Sequence, residues 1–156
     1  LSHNNSISFR LATIFGCSYR MRTDLMVNNF TLRALKEKKL EIFEPHFRRN
    51  FIHIRDVINA FMFSIENFNK MKGEVFNLGL SNANLTKLEL ANKIKKYIPH
   101  LKIIKVFNRK DPDQRDYFVS NKKIESMGFK AKINLDQGIL ELLKLYNVNK
   151  NFVNNY

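Results

Sequence analysis

The sequence predicts a mixed α/β fold, because short apolar runs typical of buried strands alternate with segments of helical periodicity. Apolar runs end at Gly16 and Gly79, and a helical spacing of apolar residues begins at Val57. The 156 residues, of which 44% are hydrophobic, are enough to bury a core within one globular domain.

Five strands and five helices are expected in alternation. The strands are expected at residues 7–15, 40–43, 50–54, 75–78 and 103–107. The helices are expected to begin after an N-cap at Thr23, at Arg55, at a capping box of Thr86 and Glu89, near Asn121, and after a cap of Asn134 with Gln137.

The apolar spacing also predicts which side of each helix faces the core. For the helix that begins at Arg55, the predicted inner residues are Val57, Ala60, Phe61, Ser64, Ile65 and Phe68. For the last helix they are Ile139, Leu142, Leu143 and Tyr146.

Charge and cysteine content narrow the classes of function. Lys and Arg number 27 against 14 Asp and Glu, which favours binding to polyanions and keeps a basic nucleic-acid-binding domain as a minor alternative. Cys17 is the only cysteine, so no intrachain disulfide can form, and a reducing, cytoplasmic location is expected. No apolar run approaches the roughly 20 residues of a membrane span, so no membrane association is expected.

Most catalytic motifs are not present in the sequence. It contains no GxGxxG, P-loop, HExxH or GxSxG pattern, and its four histidines are too dispersed to predict a metal site. We therefore assign no catalytic residue and no metal ligand.

The arginines, unlike the lysines, concentrate in loops next to predicted strand ends. Three such loops carry the pairs Arg20 and Arg22, Arg48 and Arg49, and Arg109 and Arg115. A guanidinium group presents a planar fork of donors that matches two phosphate oxygens, so three loops converging on one cleft would suit a diphosphate. The alternative is that each loop arginine is separately solvated. Alternation along the strand predicts that Arg48 and Arg49 point to opposite sides.

Four segments together resemble one family. "FRLATIFG", "RRNFIHIRDV", "EVFNLGLSN" and "DPDQRDYFVSNKKIESMGFK" occur in the order of similar motifs in the extended short-chain dehydrogenases, the NAD-dependent nucleotide-sugar epimerases and dehydratases. The resemblance covers about residues 7–146. It implies an extended NAD(P)-binding Rossmann-type fold, of which this chain resembles the C-terminal, substrate-binding half.

The resemblance also implies a domain organisation. Residues 1–23 would be the last part of the cofactor domain, residues 24–146 the substrate-binding domain, and residues 147–156 a polar tail. The family's GxxGxxG loop and its catalytic YxxxK pair are expected to lie outside this sequence. Catalysis would then need an N-terminal half, in the same polypeptide or as a partner, and a homo-oligomer is also open.

Site residues are implied only where motifs match. Thr13 would lie near the sugar and the nicotinamide of NAD(P). Arg49 and Arg115 would bind the diphosphate of a nucleotide-diphosphate sugar. Asp24 would help to hold the substrate, at a position where a neutral or basic residue is frequent in the family. Arg20, Arg22 and Asn28 are further candidates for contacts with sugar or phosphate. Asp56 is expected to cap a helix, and His53 to be a strand residue.

An epimerase is slightly preferred to a dehydratase because "RMRTDL" and "DPDQRDY" look closer to the epimerase branch. A non-catalytic remnant or assembly module remains an alternative.

Overall fold

The computed structural model describes residues 5–107 and 115–148. The strands are β1 Ser8–Leu11, β2 Thr13–Phe15, β3 Lys39–Phe43, β4 Arg48–His53, β5 Val75–Leu78, β6 Asn84–Thr86 and β7 Lys102–Val106. The helices are α1 Met26–Glu37, α2 Ile54–Glu66, α3 Phe68–Met71, α4 Lys87–Lys95, α5 Lys122–Ser126 and α6 Leu135–Val148.

Three small sheets organise these strands. β1 pairs in parallel with β5, β3 pairs in parallel with β7, and β4 lies between parallel β2 and antiparallel β6. The predicted strand 7–15 is thus two strands, because the chain leaves β5 at Ala12 and joins β4 from Thr13 onward. Parallel pairs joined through helices confirm the mixed α/β prediction.

The start of α1 differs from the prediction. Thr23 was expected to cap the helix, but the N-cap position is Leu25, which makes no side-chain hydrogen bond. Thr23 is buried, and its carbonyl oxygen accepts a hydrogen bond of 3.1 Å from the Asn29 side chain. The prediction of Thr23 as N-cap was therefore wrong, because residues 23 and 24 form a turn, in which the Leu25 N–H donates to the Arg22 carbonyl oxygen, and the helix begins only after it.

The inner face of α2 was predicted only in part. Val57, Ala60 and Ser64 are buried, whereas Phe61 and Ile65 are 47% and 67% exposed. Phe68 lies beyond the helix end, in α3, and is exposed as well. The apolar stripe of α2 is wider than the surface that β2 and β4 cover, so periodicity alone could not mark its edge.

Two apolar clusters form the core. The larger one joins residues of α1, α4 and α6 to β3 and β4, and the predicted inner face of α6 is confirmed there. The smaller one lies between β1, β5, α2 and α5. β2 ends between them, and because β2 and β4 are parallel, the residues that follow β2 lie beside the end of β4 at the boundary of the two clusters.

Two predicted helix caps are confirmed. The Thr86 hydroxyl accepts from the Glu89 backbone N–H at 3.1 Å, and the Glu89 carboxylate accepts from the Thr86 N–H at 2.7 Å. Asn134 and Gln137 exchange the equivalent pair of hydrogen bonds. Strand β6, which ends at this first box, was not predicted because its three residues carry no apolar alternation.

None of the helices within residues 5–107 and 115–148 is long and apolar enough to cross a membrane.

Candidate functional site

A cavity of about 440 Å³ collects most of the candidate residues. Thr13, Arg22, Asp24, Arg49 and Arg115 line it together with Leu25, Met26, Asn29 and Phe30. Each of the three arginine pairs therefore contributes one residue to a single cavity, although Arg48 and Arg49, which were expected in a loop, are the first residues of β4. The residue before α1 and the first turns of α1 supply the remaining wall, which is apolar except for Asn29.

Arg49 lies on β4 and is only 1% exposed. Its Nη1 donates a hydrogen bond of 2.9 Å to the Arg48 carbonyl oxygen, and its Cζ lies 5.4 Å from the ring centroid of Tyr117. A guanidinium group held on two sides in this way keeps its donors in a fixed direction. An anion must enter the cavity to meet it.

Arg48 is exposed, as the alternation of the strand predicted. Its guanidinium group binds the Asp116 carboxylate at 3.1 and 3.3 Å, and its backbone N–H donates to the same carboxylate at 2.8 Å. These hydrogen bonds lower the pKa of Asp116 and raise that of Arg48. They attach the segment that carries Arg115 to the beginning of β4. Arg48 therefore helps to position Arg115 although it does not line the cavity itself.

Thr13 begins β2 and pairs with Phe51 of β4. Its hydroxyl oxygen lies 3.5 Å from the Tyr117 hydroxyl, at the outer limit of a hydrogen bond. Thr13 and Arg49 thus reach the cavity from adjacent strands, and Tyr117 touches both of them.

Asp24 brings a carboxylate into the same cavity. The Arg22 guanidinium group binds it through two hydrogen bonds of 2.8 and 2.6 Å. The pair is exposed, and its charges offset each other. The Asp24 carboxylate therefore lies in the same cavity as Arg49 and Arg115 while it is paired with Arg22.

A smaller cavity of about 220 Å³ adjoins the first. Arg20, Arg22 and Asn28 line it together with Gly16 and Ile54 at the ends of β2 and β4, and Arg22 and Leu25 belong to both cavities. The seven candidate residues are thereby distributed over two neighbouring cavities that share one wall.

Asn28 is almost fully buried and binds backbone groups. Its Oδ1 accepts from the Gly16 N–H at 3.0 Å, and its Nδ2 donates to the Arg22 carbonyl oxygen at 3.0 Å. These bonds hold both ends of the loop that carries Arg20 and Arg22, a positioning role that the sequence did not reveal.

The beginning of β4 is held from a second side by Lys87, a residue that was not predicted from the sequence. Its ammonium group is buried and donates to the Phe43 carbonyl oxygen at 3.1 Å, and it lies 5.5 Å from the Phe47 ring centroid. Its backbone N–H donates to the Phe47 carbonyl oxygen. A lysine at the start of a helix gives no signal in sequence that its charge turns inward.

The cap of α2 is a further correction. The expected cap was Asp56, but the His53 Nδ1 accepts from the Arg55 N–H at 3.2 Å and takes that position. Asp56 is buried and accepts from the backbone N–H groups of Lys132 and Ile133 at 3.0 and 2.9 Å. It fixes the segment before α6 and does not face either cavity of the candidate site.

Tyr146 has a lysine four residues later, Lys150, and so matches the spacing of YxxxK, which we expected to lie outside this sequence. Tyr146 is 3% exposed, and its hydroxyl donates to the Asn28 carbonyl oxygen at 3.3 Å. Burial raises its pKa, which is the opposite of what a proton-accepting tyrosine needs. The structure gives Tyr146 a place in the core, and Lys150 lies outside the described residues.

Arg109 also lies outside the described residues. Within residues 5–107 and 115–148 no group of three His, Cys, Asp or Glu side chains could hold a metal ion.

Comparison with known proteins identifies the family of this chain. The model of the NAD dependent epimerase/dehydratase family matches residues 2–79, half of the chain. A dTDP-D-glucose 4,6-dehydratase of Mus musculus is 30% identical over 115 residues, which are 69% of this chain and 31% of that protein.

Solved structures share the fold. The dTDP-glucose 4,6-dehydratase of Bacillus anthracis in complex with NAD has a TM-score of 0.74 at 22% identity, over 94% of this chain and 46% of that one. The UDP-glucose 4-epimerase of Thermotoga maritima with UDP-glucose has a TM-score of 0.73 at 22% identity, over 92% of this chain and 46% of that one.

These comparisons confirm the Rossmann-type α/β class, and the chain spans less than half the length of these relatives. The motifs of β1, β2, β4 and β5 and the matched family model agree: this chain belongs to the NAD dependent epimerase/dehydratase family.

Proposed function

We propose that this chain is the substrate-binding portion of an NAD-dependent epimerase or dehydratase that acts on a nucleotide-diphosphate sugar. The observation that carries the proposal is the convergence of Arg22, Arg49 and Arg115 on the cavity that Thr13 also lines. A diphosphate carries two or more negative charges in a small volume, and guanidinium groups from separate loops can surround it.

The roles follow from position. Arg49 and Arg115 bind the diphosphate, and Arg49 supplies the more rigid charge because it is buried against Tyr117. Arg22 has its charge shared with Asp24 and contributes less to binding an anion. The Asp24 carboxylate accepts hydrogen bonds from sugar hydroxyl groups, while Arg20 and Asn28 shape the adjoining cavity.

Thr13 contributes at the end of the sugar that faces the cofactor. NAD would supply the hydride acceptor for oxidation of a sugar hydroxyl, and Thr13 is the residue of this chain that we place beside the nicotinamide. The rest of the cofactor site does not fit residues of this chain, since the sequence contains no GxxGxxG loop to meet the pyrophosphate. We assign that loop, and the YxxxK pair that moves the proton, to an N-terminal half.

The surface of the smaller apolar cluster supports such a partner. β1 pairs with β5 on one side, and no strand pairs with its other edge among the described residues. Parallel sheets are normally covered on both faces and extended beyond two strands. A further parallel strand beside β1 would complete the sheet.

The diphosphate assignment is tested by binding. Arg49→Ala and Arg115→Ala should each weaken the affinity for UDP-glucose or dTDP-glucose by roughly 10- to 100-fold, because each removes a charge-assisted hydrogen bond of ~1.5 to 3 kcal/mol. Isothermal titration of the purified protein measures the dissociation constants. Arg33→Ala is the matched control, since Arg33 is paired with Glu37 on the surface of α1.

Unchanged affinity in both cavity variants would exclude the assignment.

A salt titration of ligand binding distinguishes this function from the nucleic-acid alternative, because the affinity for a phosphate backbone falls steeply between low and physiological salt.

A further inference from the structure

Tyr117 contacts two residues that line the cavity, Arg49 and Thr13. Its ring faces the Arg49 guanidinium group, with 5.4 Å between Cζ and the ring centroid. Its hydroxyl oxygen lies 3.5 Å from the Thr13 hydroxyl oxygen. The roles proposed above do not include Tyr117, which also lies outside residues 2–79, the part of the chain that the family model matches.

The ring contact matters because Arg49 is a long side chain with a buried charge. The hydrogen bond from Nη1 to the Arg48 carbonyl oxygen fixes one edge of the guanidinium group, and the aromatic face fixes its plane. An aromatic ring attracts a cation most strongly where water is excluded, and Arg49 is nearly inaccessible to water. Without the ring, the guanidinium group could rotate away from the cavity.

The hydroxyl contact matters because both partners can donate or accept. The contact with Tyr117 uses either the proton or one lone pair of the Thr13 hydroxyl group. Since Thr13 lines the cavity, the remaining donor or acceptor is available to a ligand there.

Tyr117 is itself held in place. Its backbone N–H approaches the Arg48 carbonyl oxygen at 3.5 Å, and the preceding residue, Asp116, is bound to Arg48 by the ion pair described above. The same attachment brings Arg115 to the cavity.

We propose that Tyr117 is a positioning residue for this site: its ring orients Arg49 toward the diphosphate, and its hydroxyl orients Thr13 toward the sugar. The inference rests on the proposed function and deepens it, because it gives one side chain control over two parts of the ligand. It predicts that the two effects can be separated by substitution.

The first experiment needs no ligand. In spectra of protein labelled with ¹⁵N-arginine, the Nε proton of Arg49, assigned by its disappearance in Arg49→Lys, should be shifted upfield by the ring current of Tyr117. Tyr117→Leu should abolish the shift, and Tyr117→Phe should retain it. An Arg49 signal that is the same in the wild type and in Tyr117→Leu would overturn the proposal.

The second experiment measures affinity for a nucleoside diphosphate, UDP or dTDP, and for the corresponding glucose ester. Tyr117→Leu should weaken both by about 2- to 30-fold, the range of a desolvated cation–π contact. Tyr117→Phe should bind the nucleoside diphosphate within about 2-fold of the wild type, yet lose about 2- to 10-fold for the sugar ester. Tyr19→Leu, at a fully exposed tyrosine, is the control and should match the wild type.

The outcomes distinguish this proposal from the one it rests on. If the wild type binds both ligands and Tyr117→Leu binds them equally well, only the role of Tyr117 is overturned. If the wild type shows the Arg49 shift but binds neither ligand, the proposed function fails and the inference fails with it. If Tyr117→Leu does not fold, Tyr117→Phe decides: equal losses for both ligands would contradict the separation of roles.

Discussion

His53, the last residue of β4, shows how a single side chain can be committed to the core while resembling a catalyst. Its ring is fully buried and meets the Phe15 ring edge to face, and a side chain at Gly16 would lie within 2.4 Å of its Nε2. Because its Nδ1 accepts the α2 cap bond, the neutral ring must carry its proton on Nε2, which lies 3.5 Å from the Glu141 carboxylate. Burial lowers its pKa, Glu141 and Asp56 oppose that shift, and Arg55 adds to it.

A pH dependence of stability follows from that lowered pKa. Above pH 7 the ring is neutral in both the folded and the unfolded chain, so its contribution to stability is complete. As the pH falls through the unfolded value of about 6.5, the unfolded chain binds a proton that the folded chain excludes, and the free energy of unfolding decreases.

Urea unfolding at pH 7.5 and 5.5 should therefore show a larger loss of stability in the wild type than in His53→Gln. His100→Gln, at an exposed position, should retain the wild-type loss. An equal loss in His53→Gln and the wild type would show that other groups cause the dependence.

At the scale of elements, α6 approaches β2 more closely than its apolar pattern indicates. Gly138 faces the Phe15 ring, and a Cβ atom there would lie 2.2 Å from Phe15 Cε2. The apolar spacing of the helix gives no sign of this close approach. Here it is what allows the helix to pack on the end of the strand that leads to the site.

Gly138→Ala should therefore destabilise the protein by ~1 to 3 kcal/mol through overpacking, although alanine favours helices elsewhere. Thermal unfolding measures the effect as a lower Tm. Lys144→Ala, on the exposed side of the same helix, should leave the Tm nearly unchanged. A Tm of Gly138→Ala at or above that of the wild type would mean that the Phe15 ring moves aside without cost.

Elements that carry local signals were predicted well, and those that depend on distant partners were not. The TxxE box at Thr86 and the inner face of α6 follow from spacing alone. The division of residues 7–15 into two strands, in contrast, depends on which distant strands they pair with. In the site, the convergence of three arginine loops was predictable from strand ends, whereas the inward turn of Lys87 was not.

For the whole molecule, the wide apolar stripe of α2 is the main unpartnered surface within the described ranges. Ile58, Phe61, Met62 and Ile65 are all about half exposed or more, and β1 lies beneath the same helix. Phe61 also packs edge to face on Phe9 of β1, and we expect the exposed apolar surface around it to be covered by a partner. It lies on the smaller cluster, the part of the fold to which the proposed N-terminal half would attach.

The isolated chain should consequently self-associate at micromolar concentration, and Ile65→Lys should shift it toward monomer in sedimentation velocity. Glu66→Lys is the control, since it also adds positive charge at the neighbouring exposed position but removes no apolar surface. Equal association of Ile65→Lys and Glu66→Lys would place the contact elsewhere.

The passage of the chain from one sheet to another at Ala12 links assembly to recognition. A strand added beside β1 would fix the twist of β1 and, two residues beyond its end, the direction of the Thr13 side chain. Ligand binding and assembly would then be thermodynamically coupled. By reciprocity, a bound nucleotide sugar would raise the affinity of the chain for its partner by the same factor by which the partner raises the affinity for the sugar.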